Sequence, residues 1–426
     1  MSMFLKNDWS GIVAIIFSFL IVYRFWKIKK DIRLSLTLGL TLFLHHVIAI
    51  INIYFITLPG AEGDPAKFYY HAEKWALAGK WDLSIGTNFY TQFLGIFYRI
   101  FGPSKLLGAE LSILFFLLTC LVLIEIAGLL NINKYTVPVL LVYGLLPTNL
   151  IFCSKILRES YQIFFFISTV YWGLRYRLES TKNSLIFCLI SSLLMAFFQR
   201  ALVVYALVLI AIILLWNLYE VSGSYEGKRA INKKKLIVIS LSLIFILGII
   251  ITGIAFKVED IGAVEAFLKG KGFQFAADYR ARLLLIKAPD ARANYGILLD
   301  TSTVTGFLKS TVFIYIYYLF SPFPWQIENF LDLYSFFESL LRFILIGFSI
   351  LLWHQEKDRK KRSIWSMLLF IYFSMAFLWA MGTINYGQAI RHHLITNWLI
   401  IILSLPGLIN FFVGNYRRLK TMSKVK

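Results

Sequence analysis

The chain has little of what a soluble or disulfide-stabilised protein needs. Only 15% of its 426 residues are charged, and acidic residues are the scarcer sign, with 23 against 43 lysines and arginines. The cysteines Cys120, Cys153 and Cys188 fall in or beside apolar runs, so we expect buried thiols and neither a disulfide framework nor a zinc site. No small-residue cleavage site follows the apolar residues 9–26, which predicts a retained span rather than a cleaved signal.

Apolar residues dominate instead, at 59% of the chain. A soluble domain cannot hide that much apolar surface, so we expect most of the chain to cross a bilayer as helices. The net charge of +20 sits largely in short loops between apolar runs, which is typical of cytoplasmic loops and does not indicate a nucleic-acid partner. The composition therefore predicts an all-α, multi-pass protein of the inner or plasma membrane.

The order of apolar runs and basic loops predicts about eleven spans, with the N-terminus outside and the C-terminus inside. The loops 27–33 and 228–235 are strongly basic and are assigned to the cytoplasm. The predicted spans are 9–26, 34–58, 106–130, 135–153, 161–174, 185–198, 201–219, 236–256, 333–353, 364–381 and 394–412. We interpret 307–320 as a re-entrant or surface element, because a further span there would place the basic loop 357–362 outside.

The first long polar break, residues 59–104, is the segment around which the chain is organised. A helical pattern begins at Asp64, and a second, aromatic-rich helix is predicted for 89–101. Both are too polar or too short to span, so we expect two juxtamembrane helices on the outer surface. A second outer segment, 257–332, contains the re-entrant element, and the whole chain 1–426 is predicted to form one membrane domain.

This topology gathers the unusual polar residues at the outer face. They are Glu62, Asp64, Lys155, Arg158, Glu159, Arg200, Arg391, His392 and His393. Ionisable groups near membrane depth are costly and are often functional. An acid among cations suits transfer of a group from a lipid phosphate, because the acid takes a proton from the acceptor hydroxyl while the cations hold the phosphate. We expect Asp64 to be the catalytic base, the other eight residues to bind substrate, and no metal or other cofactor to be held.

Each of these residues also has a structural interpretation. Asp64 before Pro65 suits a helix N-cap, a role that is compatible with catalysis. The remaining groups suit helix-end ion pairs (Lys155, Arg158 and Glu159) or anchors at the membrane interface (Arg200 and Arg391 to His393). His45 and His46 lie inside a predicted span, where a polar contact between helices is expected rather than a metal site.

Four stretches together resemble the GT-C superfamily of membrane glycosyltransferases, particularly bacterial proteins similar to glycosyltransferase family 39. They are EGDPAKFYYHAEKWALAG, LLPTNLIFCSKILRES, SPFPW and GTINYGQAIRHHLITNWLIIIL. The first looks like the outer loop of that superfamily, and Glu62-Gly63-Asp64 fits its ExD form of the acidic motif. The resemblance implies a GT-C-like fold, Asp64 as the catalytic acid of the loop, a polyprenyl-phosphate sugar donor, and inverting transfer to a glycan or lipid acceptor on the extracytoplasmic face.

Two other functions stay open. An O-antigen or capsule polysaccharide polymerase, or a related ligase, would use a lipid-diphosphate-linked glycan and depend more on Arg391, His392 and the loop 257–306 than on Asp64. A transporter of lipid-linked sugars would place its polar residues at the midplane of broken helices, often in symmetric halves. Here the polar groups gather at one face and no internal symmetry is visible, which favours an enzyme.

Overall fold

The structure, a computed structural model, describes residues 2–79, 84–223, 272–287 and 293–423. As predicted, the regular elements of these residues are helical. In chain order they are α1 (Ser2–Lys29), α2 (Ile32–Tyr54), α3 (Asp64–Ala78), α4 (Thr87–Phe101), α5 (Lys105–Leu129), α6 (Thr136–Leu145), α7 (Pro147–Phe152), α8 (Glu159–Glu179), α9 (Lys182–Phe198), α10 (Arg200–Gly223), α11 (Gly272–Arg282), α12 (Val304–Phe320), α13 (Phe330–Gln355), α14 (Arg359–Gly382) and α15 (Tyr386–Ser423). An isolated antiparallel bridge joins Asn294 and Asn385.

Six helices of the described residues are long and apolar enough to cross a membrane. They are Asp8–Lys29, Ile32–Tyr54, Lys105–Leu129, Phe330–Gln355, Arg359–Gly382 and Tyr386–Val413. Shorter apolar helices are Lys182–Phe198, Arg200–Trp216 and Val304–Phe320. These helices fit a multi-pass membrane protein, but the predicted count of eleven spans is not confirmed. The predicted span 236–256 and part of the outer segment 257–332 lie outside the described residues.

The predicted span 135–153 is wrong as a single helix. The helix α6 ends before Leu146, whose backbone leaves the helical region (φ −56°, ψ 125°), and α7 begins at Pro147. Proline has no N–H to donate and disfavours the helical conformation of the residue before it, so the helix is interrupted there. The pieces contain 10 and 6 residues, and each is too short to cross a bilayer.

The chain divides into two compact units. The first is Met1–Leu129 with Gly144–Gly270, and the second is Leu130–Tyr143 with Lys271–Lys426. In the first unit α1 and α2 pack on α5, while α8 packs between α5 and α9. In the second unit α15 packs against α13 and α14, and α12 packs against the same two helices.

The helices α3 and α4 form a helical hairpin in the first unit, close to the predicted bounds. They approach most closely at Gly95, where a Cβ atom would lie 2.5 Å from Trp75 Cε3 and 3.0 Å from the carbonyl oxygen of Ala72. Phe68 and Ala72 of α3 are buried, whereas His71 on the opposite face is exposed, as the apolar pattern predicted.

An aromatic cluster attaches this hairpin to the rest of the first unit. Tyr161 of α8 lies at its centre, with ring-centre distances of 5.3 Å to Tyr90 and 5.6 Å to Phe93 of α4. On its other sides Tyr161 contacts Phe115 of α5 at 4.2 Å and stacks on Phe198 of α9 at 5.3 Å. Such pairs each add about 0.5–1.5 kcal/mol beyond the area they bury, so the cluster fixes the hairpin against three helices.

Candidate functional site

Asp64 is the first residue of α3 and is half-buried. The N-cap position is Gly63, with φ 82°, so the interpretation of Asp64 as the N-cap residue is corrected by one position. Gly86, with φ 91°, occupies the same position before α4. Both helices of the hairpin therefore begin after a glycine in a conformation that other residues rarely adopt. A carboxylate in the first turn is still favoured by the helix dipole.

Lys155 contacts the segment that precedes Asp64 in the chain. Its side chain is buried, at 1% exposure, and its ammonium group donates to the carbonyl oxygen of Pro59. The same ammonium lies 5.2 Å from the ring centre of Phe152. A buried ammonium is costly unless it is hydrogen-bonded, so this contact fixes the segment that leads into α3.

Arg158 links the two helices of the hairpin. Its guanidinium carbon lies 5.9 Å from the ring centre of Phe68, one turn after Asp64 in α3. Its Nη1 donates to Thr87 Oγ1, in the first residue of α4, at 3.1 Å. The beginnings of both helices therefore lie near one guanidinium, a planar fork of N–H donors that suits phosphate oxygens.

Glu159, Arg200 and Glu62 are the other predicted residues of the first unit. Glu159 is buried at 4% exposure and begins α8. Arg200 is exposed and begins α10, and its Cγ would lie 3.5 Å from a Cβ atom at Gly86. The N–H of Gly86 donates to the carbonyl of Phe197 at 2.8 Å, which ties the start of α4 to the end of α9. The remaining acid of the predicted set, Glu62, is exposed in the turn before α3.

The other three predicted residues belong to the second unit. Arg391 is half-buried near the beginning of α15. The ring of His392 stacks on Trp379 at 4.1 Å, and its Nδ1 lies 2.7 Å from Thr383 Oγ1. His393 is buried, with its Nε2 2.8 Å from the carbonyl oxygen of Tyr318. The histidines thus contact α14 and α12 directly.

Sequence reasoning missed Glu110, although it is a lone acid in the first turns of an apolar span. It is buried in α5, with Oε2 2.6 Å from Nδ1 of His46 in α2. The Nε2 of His46 lies 3.1 Å from Ser18 Oγ in α1. The predicted polar contact between helices at His46 is therefore confirmed, and Glu110 is its partner.

Two buried arginines of the second unit were also missed, and both contact the ends of helices. Arg280 donates to the carbonyls of Ile297 at 2.6 Å and Thr383 at 2.6 Å, just beyond α14. Burial lowers the pKa of Arg280 to about 10, so it stays protonated at neutral pH. Arg342 donates to the carbonyl of Leu319 at 3.0 Å, near the end of α12. Cations are favoured at the negative end of a helix, so both arginines have a structural role there.

Metal ligands are sparse in the part of the chain that the structure describes. Among its residues 2–79, 84–223, 272–287 and 293–423, no group of three or more His, Cys, Asp or Glu side chains is placed to hold a metal ion.

No protein-family model matches the chain, and neither does any curated protein or solved structure. The resemblance to the GT-C superfamily therefore rests on the four sequence stretches quoted above. The activity that it implies is a proposal.

Proposed function

We propose that the chain is a membrane glycosyltransferase that moves a sugar from a polyprenyl-phosphate-linked donor to a glycan or lipid acceptor at the extracytoplasmic face. One observation carries the proposal. Asp64 begins a hairpin helix whose surroundings include Arg158, which contacts both helices, and Lys155, which holds the preceding segment. An acid beside a cationic site is the pair of functions that this transfer requires.

In the proposed reaction Asp64 accepts the proton of the acceptor hydroxyl. The hydroxyl oxygen forms a new bond to the anomeric carbon while the bond from that carbon to the phosphate oxygen breaks. The electron pair of the broken bond leaves with the polyprenyl phosphate, whose added charge Arg158 and Arg200 stabilise. Attack opposite the departing phosphate inverts the anomeric centre.

The hairpin adds a second source of positive potential. The N-terminal ends of α3 and α4 both lie near Arg158, through Phe68 and Thr87. Free N–H groups and the helix dipole make an N-terminus favourable for phosphate. The donor phosphate at these helix ends would leave the sugar near the carboxylate of Asp64.

The test is a transfer assay with purified protein and a panel of polyprenyl-phosphate sugars. Asp64→Asn should lower transfer by about 100-fold or more, since a positioned base contributes that much. Glu179→Gln is the matched control, because Glu179 is an exposed acid at the end of α8 that pairs with Arg175. Substantial transfer by a folded Asp64→Asn protein would rule out Asp64 as the base. Products longer than one added sugar would favour the polymerase.

A transporter of lipid-linked sugars is the second candidate, and the contact between His46 and Glu110 favours it. Ionisable residues that face the interior of a membrane bundle often mark proton or substrate pathways. Flipping of a fluorescent polyprenyl-phosphate sugar across vesicles separates the two functions. A transporter would lose flipping in Glu110→Gln and retain it in Asp64→Asn, whereas the glycosyltransferase would show the reverse pattern for transfer.

A further inference from the structure

An apolar groove between α1 and α2 of the first unit is not used by the proposed reaction. Its volume is about 470 Å³. Tyr23 and Trp26 of α1 form one wall, and Leu36, Gly39 and Leu40 of α2 form the other. Tyr23, Leu36 and Leu40 are 53%, 65% and 48% exposed, so the groove is open to its surroundings. Both helices are candidate membrane spans, and in a bilayer the groove would open toward the acyl chains.

Gly39 lies between Leu36 and Leu40 in the wall that α2 contributes to the groove. A Cβ atom at Gly39 would have nothing within 4 Å, so the first atom of a new side chain meets no neighbour there. This open space allows the groove to be filled by mutation independently of its charges.

One end of the groove carries unbalanced positive charge. The ammonium of Lys27 lies 5.2 Å from the ring centre of Trp26 and 5.5 Å from that of Tyr23, two of the residues that line the groove. Lys30 and Arg33 are exposed in the adjoining turn. Within the described residues, none of these three cations forms an ion pair with a carboxylate within 4 Å.

Two other charged residues near this turn, Lys29 and Asp31, already have partners. Lys29 pairs with Glu125 of α5 at 2.7 Å. Asp31 is the N-cap of α2, and its carboxylate accepts the backbone N–H groups of Arg33 at 3.0 Å and Leu34 at 3.1 Å. Lys27, Lys30 and Arg33 therefore outnumber the carboxylate of Asp31 by three to one, and the turn keeps a net positive charge.

We propose that this groove binds an anionic phospholipid. One acyl chain lies between α1 and α2, and the headgroup phosphate lies among Lys27, Lys30 and Arg33. The apolar walls select a lipid chain, and the net positive charge at one end selects a negative headgroup over a zwitterionic one. Basic residues beside a span each contribute measurably to the binding of anionic lipids, so three together give a clear preference.

The role of the three cations is tested by native mass spectrometry of the detergent-purified full chain. The added lipid is phosphatidylglycerol or phosphatidylcholine, with identical acyl chains. Phosphatidylglycerol should bind the wild type more tightly. The triple variant Lys27→Gln, Lys30→Gln, Arg33→Gln should lose about tenfold or more of that affinity and retain its affinity for phosphatidylcholine. A control triple variant with equal charge loss, Lys357→Gln, Lys360→Gln, Lys361→Gln, should behave as the wild type.

The role of the apolar groove in the proposal is tested with Gly39→Leu. Filling the groove at Gly39 should weaken binding of both lipids several-fold, whereas Gly347→Leu, at a helical glycine with equally open space on α13, should not. Equal binding of the two lipids by the wild type, or equal loss in a control and its test variant, would overturn the proposal. If thermal unfolding shows that Gly39→Leu does not fold, the charge variants in the exposed turn decide it.

Discussion

Nδ1 of His46 lies 2.6 Å from Oε2 of Glu110, and both side chains are almost completely buried. The contact joins two candidate membrane spans, α2 and α5, and Ser18 extends it to α1. Removing one partner of such a pair leaves the other buried without compensation, which is more costly than the pair itself is stabilising.

We therefore expect Glu110→Ala to destabilise the protein by about 1–3 kcal/mol, the cost of leaving a buried polar group without its partner. Glu110→Gln should cost less, because an amide oxygen can still accept a hydrogen bond from the imidazole. The measurement is reversible unfolding in detergent, followed by intrinsic fluorescence.

The control lies on the same helix. Glu125 of α5 pairs with Lys29 at 2.7 Å, but both side chains are nearly half exposed, at 44% and 45%. Exposed pairs contribute about 0–1 kcal/mol, so Glu125→Ala should leave stability nearly unchanged. Equal losses in Glu110→Ala and Glu125→Ala would contradict a special role for the buried pair.

The hairpin should not tolerate a side chain at Gly95. A Cβ atom there would meet Trp75 Cε3 at 2.5 Å, so Gly95→Ala requires the Trp75 ring, or the helix that carries it, to shift. We expect a loss of about 1–3 kcal/mol, which is typical of overpacking. Limited proteolysis between the two helices should become faster. Gly347→Ala, where nothing lies within 4 Å, is the control, and an unchanged cleavage rate in Gly95→Ala would refute the close contact.

Lys155 should matter for activity through position rather than through direct chemistry. Lys155→Met frees the carbonyl of Pro59 and with it the segment that leads into Asp64. We expect transfer to fall by about 100-fold, the usual effect of misplacing a reacting group by about 1 Å. Thiol labelling of a Glu62→Cys reporter should become faster in the same variant.

Lys105→Met is the matched control for Lys155→Met. Lys105 is exposed, and its ammonium lies 5.8 Å from the ring centre of Tyr69 on the same hairpin. It should affect neither transfer nor labelling. Normal transfer by Lys155→Met with unchanged labelling at position 62 would show that the Pro59 contact is dispensable.

The predicted topology places the two ends of α14 on opposite sides of the membrane, and cysteine labelling tests this. The native cysteines are buried and should not react. Asp278 of α11 lies in the predicted outer segment 257–332, and Lys360 lies at the predicted cytoplasmic start of α14. Both positions are exposed. We expect an impermeant reagent outside the cell to label Asp278→Cys and not Lys360→Cys. Labelling of both from one side would overturn the assignment.

The sequence by itself determined the features that depend on neighbouring residues. Apolar composition predicted a helical membrane protein, and the start signal at Asp64 and the stop signal at Gly102 located the hairpin helices. Pro147 is also visible in the sequence. Because proline interrupts a helix, it should have divided the predicted span 135–153. Helix periodicity, caps and prolines act within a few residues, so they can be read along the chain.

Tertiary structure alone decided which polar residues meet. Arg158 contacts Thr87 across 71 positions, and Lys155 contacts Pro59 across 96. The partner of His46 was likewise found only in the folded chain, at Glu110. Such contacts depend on how the helices pack and on how each is rotated about its axis. A buried polar group finds its partner on the helix face that packs against it, at whatever distance along the sequence.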